Sequence, residues 1–279
     1  MSRVDLHIHS TASDGALSPE EVVGESVRRG LSVIALTDHD TVNGVAPALA
    51  AAEAFPGLRV VPGVELSTDV AQGEVHILGY FIDYSDGELL ARLGRMRNSR
   101  RERAQEMIAR LGDLGVNIDW SRVQEIAGEG SVGRPHLAQA MVEGGYVGSL
   151  KEAFNSYIGR GGPAYVERRK LTPAAAVELI LRVRGLPVLA HPLTVADPET
   201  LVIELKSAGL IGIEVYYKDY SAADVGKLLS LAESHQLAVT GGSDYHGLDT
   251  ESEAGIGSVE VPLSAAEHLM ALAPSPLPG

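Results

Sequence analysis

Residues 5–10 read Asp-Leu-His-Ile-His-Ser, and this short segment is the starting point for interpreting the remaining sequence. It is apolar at alternate positions and carries two imidazoles, His7 and His9, two residues apart. On a β-strand, residues i and i+2 point to the same face, so both side chains reach into one space. If that space is the mouth of a barrel, the two histidines can hold one metal ion together. Further ligands are then expected elsewhere along the chain.

The composition limits the kinds of site that the protein can build. The chain has 279 residues, 45% of them hydrophobic, which is enough for one large α/β domain or one domain with an insertion. It contains no cysteine, so disulfides and thiolate chemistry are excluded and metal ligands must be nitrogen or oxygen. The net charge of −14 argues against a broad surface for duplex nucleic acid. The sequence shows no leader and no spanning segment, so we expect a soluble cytoplasmic protein.

Strands and helices alternate over most of the chain. Ser18-Pro19-Glu20-Glu21 predicts a helix start with Ser as N-cap, Pro at the first position and a capping box. The apolar run 32–37 predicts a strand buried on both faces. Such alternation implies parallel pairing through right-handed crossovers and favours a closed or nearly closed barrel. The other predicted strands are 4–8, 59–64, 74–81, 187–190, 211–216, 237–240 and 257–261.

The alternation is interrupted in the middle of the chain. A long Arg-rich helix is predicted from 86 to 115, and residues 116–167 carry several glycines without strand–helix alternation. We therefore expect a barrel of residues 1–94 and 168–279 and a mostly helical insertion, residues 95–167, that acts as a substrate cap. Arg97, Arg100 and Arg103 recur on one side of the long helix. They are either a solvated face interleaved with acids or a positive collar that attracts an anion.

Potential metal ligands follow the predicted strands repeatedly, and in α/β barrels the site is built at that end from several strands. Each piece alone is weak evidence. His191 by itself is explained as a hydrogen-bonded structural histidine, and Glu65 as half of a buried salt bridge. Together they would bury several charges at one rim, which is costly unless the charges are paired or bound to metal. The pattern therefore predicts a shared metal site.

The combined motifs resemble the polymerase-and-histidinol-phosphatase (PHP) superfamily, in particular its tryptophan-operon-associated nucleotide phosphoesterases. The resemblance implies an α/β fold, a distorted (β/α)7 barrel with a mostly helical insertion domain, and a site for two or three divalent ions. It is carried by Asp5-Leu6-His7-Ile8-His9-Ser10, Thr37-Asp38-His39-Asp40, Gly63-Val64-Glu65, His76, Ala190-His191-Pro192 and Gly242-Ser243-Asp244-Tyr245-His246.

Matching positions imply nine metal ligands in three groups, with Glu65 bridging the first two. The groups are His7, His9, Glu65 and Asp244; Glu65, His76 and His191; and Asp14, His39 and His246. Nitrogen and carboxylate ligands permit Mn²⁺, Fe²⁺ or Zn²⁺, and the resemblance favours Mn²⁺.

The resemblance also implies phosphoester hydrolysis. A water that bridges two divalent ions has its pKa lowered to about 7, and the resulting metal-bound hydroxide is the expected nucleophile. Gly133-Arg134-Pro135-His136 resembles a motif in which Arg and His contact the substrate phosphate. His136 could also protonate the leaving oxygen, although Arg134 could equally form a surface salt bridge and His136 could be an ordinary helix residue. Ser131 and Arg160 are further candidate substrate contacts.

The implied substrates are small. They are nucleoside 3′,5′-bisphosphates that lose the 3′-phosphate, and short RNA oligonucleotides trimmed from the 5′ end. A histidinol-phosphate phosphatase is an alternative, which the Gly-Arg-Pro-His motif and the short spacing from Glu65 to His76 disfavour. A non-catalytic metal-binding module is another, which the complete ligand set disfavours. We expect a monomer without a duplex or membrane partner.

Overall fold

Seven strands form one sheet in which their spatial order is their order along the chain. The computed structural model describes residues 3–70, 73–128, 132–167, 171–247 and 254–273. The strands are β1 (Val4–Ile8), β2 (Val33–Leu36), β3 (Arg59–Val70), β4 (Gly73–Tyr80), β5 (Leu186–Leu189), β6 (Gly212–Tyr217) and β7 (Ala238–Gly242).

The sheet curls into a nearly closed barrel. Strands β1 to β3 pair in parallel, and so do β5 to β7. The first strand meets the chain that follows the last one, because the main-chain N–H of His9 donates to the carbonyl oxygen of Tyr245 at 3.0 Å. The buried carboxylate of Asp5 ties the same seam, since it accepts from the Ser243 N–H at 2.9 Å and the Ser243 hydroxyl at 2.6 Å. The prediction of a distorted seven-stranded barrel is confirmed.

Strand β4 departs from the predicted parallel pairing. It runs antiparallel to both β3 and β5. Strand β3 continues beyond its predicted end at residue 64, and two residues separate it from β4, too few for a parallel crossover. Parallel pairing is therefore wrong for this strand. The reversal has a functional consequence, because His76, near the start of β4 and opposite Ser67, lies at the same rim as the carboxyl ends of the parallel strands.

Helices cover the barrel and fill the segment between β4 and β5. The capping box predicted at Ser18 is confirmed at the start of the first helix. In the part of the chain that the structure describes, no helix combines the length and apolar character needed to cross a bilayer. The helices are α1 (Pro19–Arg28), α2 (Val45–Ala52), α3 (Gly87–Asp113), α4 (Trp120–Ala127), α5 (Arg134–Glu143), α6 (Leu150–Ala153) with a π-helical continuation (Phe154–Ile158), α7 (Pro173–Arg182), a 3₁₀ turn (Pro192–Thr194), α8 (Pro198–Ala208), α9 (Ala222–Ser234) and α10 (Leu263–Leu272).

The strand predicted at 257–261 is wrong. Gly257 has a φ of +72°, in the left-handed region that an extended strand does not use. Its N–H donates to Asp5 at 2.7 Å, so the segment closes the bottom of the barrel seam as a turn. The chain then continues into α10, which the sequence pattern did not indicate.

Helix α3 links two apolar cores. Near its start, Leu89 and Leu93 pack in the cluster that contains barrel residues. Towards its end, Met107 and Leu111 pack in a separate cluster with residues of α4 and α5, such as Leu137. The predicted boundary between residues 94 and 95 therefore falls inside one continuous helix, and no flexible linker marks the start of the helical segment.

Candidate metal centre

The nine histidine and carboxylate residues singled out from the sequence converge on the mouth of the barrel. Seven are buried, and His76 and His246 are half-buried. They come from β1 and the loop after it (His7, His9, Asp14), the chain after β2 (His39), β3 (Glu65), β4 (His76), the chain after β5 (His191) and the chain after β7 (Asp244, His246).

The fully buried carboxylate of Glu65 is the centre of the cluster. Both of its oxygens are shared between several imidazoles, which is the arrangement expected of a bridging ligand. Oε2 lies 3.2 Å from His7 Nε2, 3.2 Å from His9 Nε2 and 3.1 Å from His39 Nδ1, and Oε1 lies 2.8 Å from His76 Nδ1 and 3.2 Å from His191 Nε2.

The donor atoms fall into three sets whose members lie within 4.8 Å of one another. The sets are His7, His9, Glu65 and Asp244; His9, Asp14, His39 and His246; and His39, Glu65 and His76. The first is the group that the resemblance implies, and the second adds His9 to the implied group. The third contains His39 where the resemblance implies His191, whose Nε2 still lies 3.2 Å from Glu65.

Several donor atoms of the cluster are buried without a hydrogen-bond partner. Among the described residues these atoms are His7 Nε2, both ring nitrogens of His9, Asp14 Oδ1, His39 Nδ1 and Glu65 Oε2. Buried polar atoms without partners cost free energy, so a concentration of them at one place calls for a ligand. Cations that take nitrogen and oxygen ligands would satisfy them together, and the donor set therefore fits divalent metal ions.

The electrostatics of the cluster also favour cations. Burial alone would lower the pKa of His9, but the carboxylates of Asp244 and Glu65 outweigh burial and raise it to about 10. Burial lowers the pKa of His39 to about 3 against the opposite effect of Glu65 and Asp14. Burial would raise the pKa of Asp14, but the neighbouring imidazoles, His39 first, hold it below its ordinary value. The carboxylates thus draw positive charge into the cluster, and bound cations would supply it in place of protons.

One buried carboxylate, Glu214 in β6, was not singled out from the sequence. Its Oε1 lies 2.9 Å from His7 Nδ1, and its Oε2 accepts from the main-chain N–H of His191 at 2.7 Å. Because an ionised carboxylate only accepts, the shared proton lies on His7 Nδ1 and Nε2 is turned to the cluster. The available signal was a charged residue inside the apolar strand Ile213-Glu214-Val215.

Two further side chains hold the loops of the rim in place. Asp38 accepts from the Ser10 N–H at 2.8 Å and from the Ser13 hydroxyl at 2.7 Å, which fixes the loop that carries Asp14. Tyr217 donates its hydroxyl proton to Asp244 Oδ2 at 2.8 Å. These contacts orient carboxylates that would otherwise be free to turn.

The backbone is strained at three positions of the rim. Asp40, His191 and Asp244 have φ values of +52°, +27° and +48°, in the region that residues other than glycine seldom adopt. Each such conformation costs about 1–3 kcal/mol and persists only where the surroundings impose it. Strain of this kind concentrates at functional sites, which agrees with a binding site at this rim.

A cavity of about 180 Å³ opens from the cluster towards the helical segment. Cluster residues line one side, and the opposite side carries guanidinium groups from α3 and α5. The charged and imidazole residues of its lining are Asp14, His39, Glu74, His76, Arg100, Arg103, Arg134 and His246. We call this space the arginine cavity.

Two of its arginines are paired with carboxylates. Arg100 donates from Nε to Asp40 Oδ2 at 2.6 Å and from Nη2 to the Ser67 hydroxyl. Arg134 donates from Nη2 to Glu74 Oε2 at 2.8 Å. Both side chains are therefore held at the wall of the cavity in a defined direction.

Arg103 is the exception, because its Nε donates to the carbonyl oxygen of Val166 at 2.7 Å and its buried Nη2 has no partner among the described residues. Burial, followed by the repulsion of Arg134, lowers the pKa of Arg103. The sequence left open whether the arginines of α3 form a solvated face or a positive collar for an anion. Arg100 and Arg103 line the cavity, which agrees with the positive collar. Arg97 contacts Thr41 at 3.4 Å instead. An anion in the cavity would satisfy the unpaired guanidinium nitrogen.

The Gly-Arg-Pro-His motif at the start of α5 divides between two cavities. Arg134 lines the arginine cavity, whereas His136 lines a second cavity of about 350 Å³ on the other side of Asp14. Arg160 is exposed and lines neither cavity. Ser131 lies outside the described residues.

Comparison with known proteins agrees with this geometry. A family model described as the PHP domain matches residues 5–116. The chain is 36% identical over 256 residues to the 3′,5′-nucleoside bisphosphate phosphatase of Chromobacterium violaceum, with 88% of each chain covered. It is 34% identical over 247 residues to the 5′-3′ exoribonuclease Rnm of Escherichia coli, with 87% of this chain and 84% of the relative covered. A solved structure of an amidohydrolase from Chromobacterium violaceum with bound sulfate and no metal has a TM-score of 0.87, at 33% identity and 97% coverage of both chains.

These similarities extend over nearly the whole chain and are not confined to one motif. The segment that the family model matches carries His7, His9 and the other candidate ligands up to His76, and the full-length relatives extend the match across β5 to β7. On this evidence the chain belongs to the PHP domain family.

Proposed function

We propose that this chain is a metal-dependent phosphoesterase that breaks the bond between phosphorus and the 3′ oxygen of small 5′-phosphorylated nucleotides. The observation that carries the proposal is that two of the three donor sets open onto the arginine cavity, through Asp14, His39 and His76. The relatives support it, because one is named a nucleoside bisphosphate phosphatase and another a 5′-3′ exoribonuclease.

We propose all nine cluster residues as metal ligands, with Glu65 shared between sets. When bound, the divalent ions supply an activated water and neutralise charge on the phosphoryl oxygens. Glu214 keeps His7 in the tautomer and orientation that a ligand needs. The nitrogen and oxygen donors permit Mn²⁺, Fe²⁺ or Zn²⁺, and we propose Mn²⁺ among them because the family resemblance favours it.

The arginines bind the phosphorylated end of the substrate. Arg103 offers an unpaired buried nitrogen, and Arg134 stands beside it, held by Glu74. Guanidinium groups bind phosphate through paired hydrogen bonds, so a terminal 5′-phosphate is the natural occupant of this wall. The scissile phosphoryl group then lies at the donor sets, and residues 95–167 cover the bound substrate.

His136 donates a hydrogen bond in this proposal and does not act as the general acid. Burial lowers the pKa of His136, so the ring is neutral near pH 7 and carries no extra proton to transfer. Its Nδ1 accepts from the Gly133 N–H at 3.0 Å, which leaves the proton on Nε2.

The test compares hydrolysis of adenosine 3′,5′-bisphosphate and histidinol phosphate by the purified protein with added Mn²⁺. We expect turnover of the bisphosphate to adenosine 5′-monophosphate and inorganic phosphate, at a kcat/KM well above that for histidinol phosphate. Arg134→Ala should raise KM for the bisphosphate strongly. Arg122→Ala is the matched control, because Arg122 is an exposed arginine of the same helical segment that lines neither cavity.

Three results would contradict the proposal. A protein that binds Mn²⁺ without hydrolysing any phosphoester would be a binding module. Faster turnover of histidinol phosphate would assign that activity instead. An unchanged KM in Arg134→Ala would remove Arg134 from the phosphate site. Cytoplasmic location and the monomeric state stay predictions, and light scattering of the purified protein tests the second.

A further inference from the structure

Two guanidinium groups of the same charge lie near each other in the wall of the arginine cavity. Arg103 and Arg134 both line the cavity, and repulsion by Arg134 contributes, after burial, to the lowered pKa of Arg103. Arg134 has a carboxylate partner in Glu74, whereas the buried Nη2 of Arg103 has no partner among the described residues. Neighbouring like charges repel each other, so further contacts must hold the two side chains together.

The aromatic ring of Tyr165 contacts both guanidinium groups. The guanidinium carbon of Arg103 lies over the ring, 5.0 Å from its centroid, and that of Arg134 lies 5.9 Å from the same centroid. A cation within about 6 Å of an aromatic face is attracted by the negative face of the π-system, more strongly where water is excluded. One uncharged ring therefore stabilises both cations without occupying the hydrogen-bond donors that an anion would use.

The main chain around Tyr165 is fastened to helix α3, which fixes the place of the ring. Arg103 donates from Nε to the carbonyl oxygen of Val166 at 2.7 Å. Further along α3, Arg110 donates to the carbonyl oxygen of Tyr165 itself. The residues on either side of the ring, Ala164 and Val166, are buried in the apolar cluster of the helical segment. The ring is therefore held from both sides.

Tyr165 does not line the arginine cavity, so it acts through the two arginines and not by contact with a bound molecule. The ring has two neighbours of the same kind, whereas a residue that only fills space would show no preference for guanidinium groups. Its position between Arg103 and Arg134 indicates that it sets the spacing and direction of both.

We propose that Tyr165 is a positioning residue that holds Arg103 and Arg134 as a pair for the terminal phosphate of the substrate, and thereby determines the preference for 5′-phosphorylated substrates. The unpartnered nitrogen of Arg103 and the fixed guanidinium of Arg134 then donate to one phosphate, whose negative charge attracts both arginines. This inference rests on the proposed function and adds to it a residue that lies outside the cavity.

The test compares two substrates of the full-length protein with added Mn²⁺. Adenosine 3′,5′-bisphosphate carries the 5′-phosphate, whereas adenosine 3′-monophosphate has the same scissile bond without it. The first readout is the ratio of kcat/KM for the bisphosphate to that for the monophosphate. The second is the inhibition constant of adenosine 5′-monophosphate against hydrolysis of the 3′-monophosphate, which reports binding of the 5′-phosphate separately from its effect on turnover.

The variants separate the ring from the volume of the side chain. Tyr165→Leu keeps an apolar side chain without a π-system, and Tyr165→Phe keeps the ring without the hydroxyl. Tyr146→Leu is the matched control, because Tyr146 is an exposed tyrosine of the same helical segment that lines neither cavity. Circular dichroism verifies folding. If Tyr165→Leu does not fold, Tyr165→Gln takes its place, because Tyr165 is half-buried and accepts a polar side chain.

We expect the wild type to prefer the bisphosphate. In Tyr165→Leu the ratio should fall, and the inhibition constant should rise, about tenfold, because both cation–π contacts are lost. Tyr165→Phe should keep both values within about twofold of the wild type, because phenylalanine offers the same aromatic face. Tyr146→Leu should leave both values as in the wild type.

Four results would overturn the inference. A folded Tyr165→Leu or Tyr165→Gln protein with the wild-type ratio would do so and leave the proposed function in place. An equal loss in Tyr165→Phe would assign the effect to the hydroxyl, and a lower ratio with an unchanged inhibition constant would show that the 5′-phosphate still binds normally. A wild type that hydrolyses the monophosphate as well as the bisphosphate would remove the 5′-phosphate from the arginine cavity, and the inference with it. Hydrolysis of neither substrate would overturn the proposed function as well.

Discussion

Replacing Glu214 with Gln should weaken metal binding, although Glu214 is not one of the nine proposed metal ligands. Glu214 is 0% exposed and receives two donors, His7 Nδ1 at 2.9 Å and the His191 N–H at 2.7 Å. Glutamine has nearly the same shape but offers only one accepting oxygen, so its NH₂ group must face one of these donors. Either a buried donor loses its partner, or His7 changes tautomer and places its proton on Nε2, the atom that faces the cluster.

The expected loss of metal affinity follows from the one hydrogen bond that glutamine cannot accept. An unsatisfied buried donor costs about 1–3 kcal/mol. Because about 1.4 kcal/mol corresponds to a factor of ten in an equilibrium constant, the loss in metal affinity should be about 10–100-fold. This estimate agrees with the loss of metal affinity generally seen when a residue that hydrogen-bonds to a metal ligand is mutated.

The assay is the binding of Mn²⁺ to metal-free protein, measured by calorimetry, with the metal content of the purified protein as a second readout. Glu233→Gln is the matched control, because Glu233 is an exposed glutamate of α9. Circular dichroism verifies that both variants fold. A folded Glu214→Gln protein that binds Mn²⁺ as tightly as the wild type would refute the assignment of Glu214 as a positioning residue.

Three further predictions concern the cluster and His136. His191→Ala should lose one metal ion per chain and nearly all activity while the circular dichroism spectrum is retained, and full metal content would count against His191 as a ligand. Chelation should lower the unfolding temperature, since metal at 100 times its Kd adds about 2.7 kcal/mol of stability, and a thermal scan with and without Mn²⁺ would show no shift if the cluster bound none. Burial keeps the pKa of His136 below the ordinary value of 6.5, so the stability linked to its neutral form is fully present above pH 6.5 and is lost as the pH falls towards the folded pKa. The unfolding free energy of His136→Asn should therefore fall less than that of the wild type between neutral and acidic pH in urea titrations, and an equal fall would contradict a buried neutral imidazole.

The local order of the chain was enough to predict most of the candidate ligands. His7 and His9 share a face because side chains alternate along a strand, and residues such as Asp244 follow apolar runs whose ends must meet at one rim of a parallel barrel. The helix start at Ser18 was equally predictable, because a capping box is a contact within four residues. These features depend on neighbours in sequence, so the sequence contains them directly.

Contacts between distant segments were decided only in the folded structure. Strand β4 is reversed because it forms a hairpin with β3, which the alternation of strands and helices does not predict. This reversal brings His76 to the rim. Arg100 and Arg103 face the cavity because that side of α3 meets Asp40 and Val166, residues far away along the chain. Periodicity specifies which side chains share a helical face, but only packing specifies what that face meets.

The role of Glu214 and the presence of two cavities could not be predicted from the sequence for the same reason. A lone carboxylate in an apolar strand carries no local clue to its partners, which lie 207 and 23 residues away in sequence. The motif at the start of α5 indicated that Arg134 and His136 act together, yet the first turn of the helix directs them into different spaces. The candidate residues for binding metal and phosphate could therefore be identified from the sequence. Their orientation, the residues that hold them in place and the shape of the space between them depend on the three-dimensional fold.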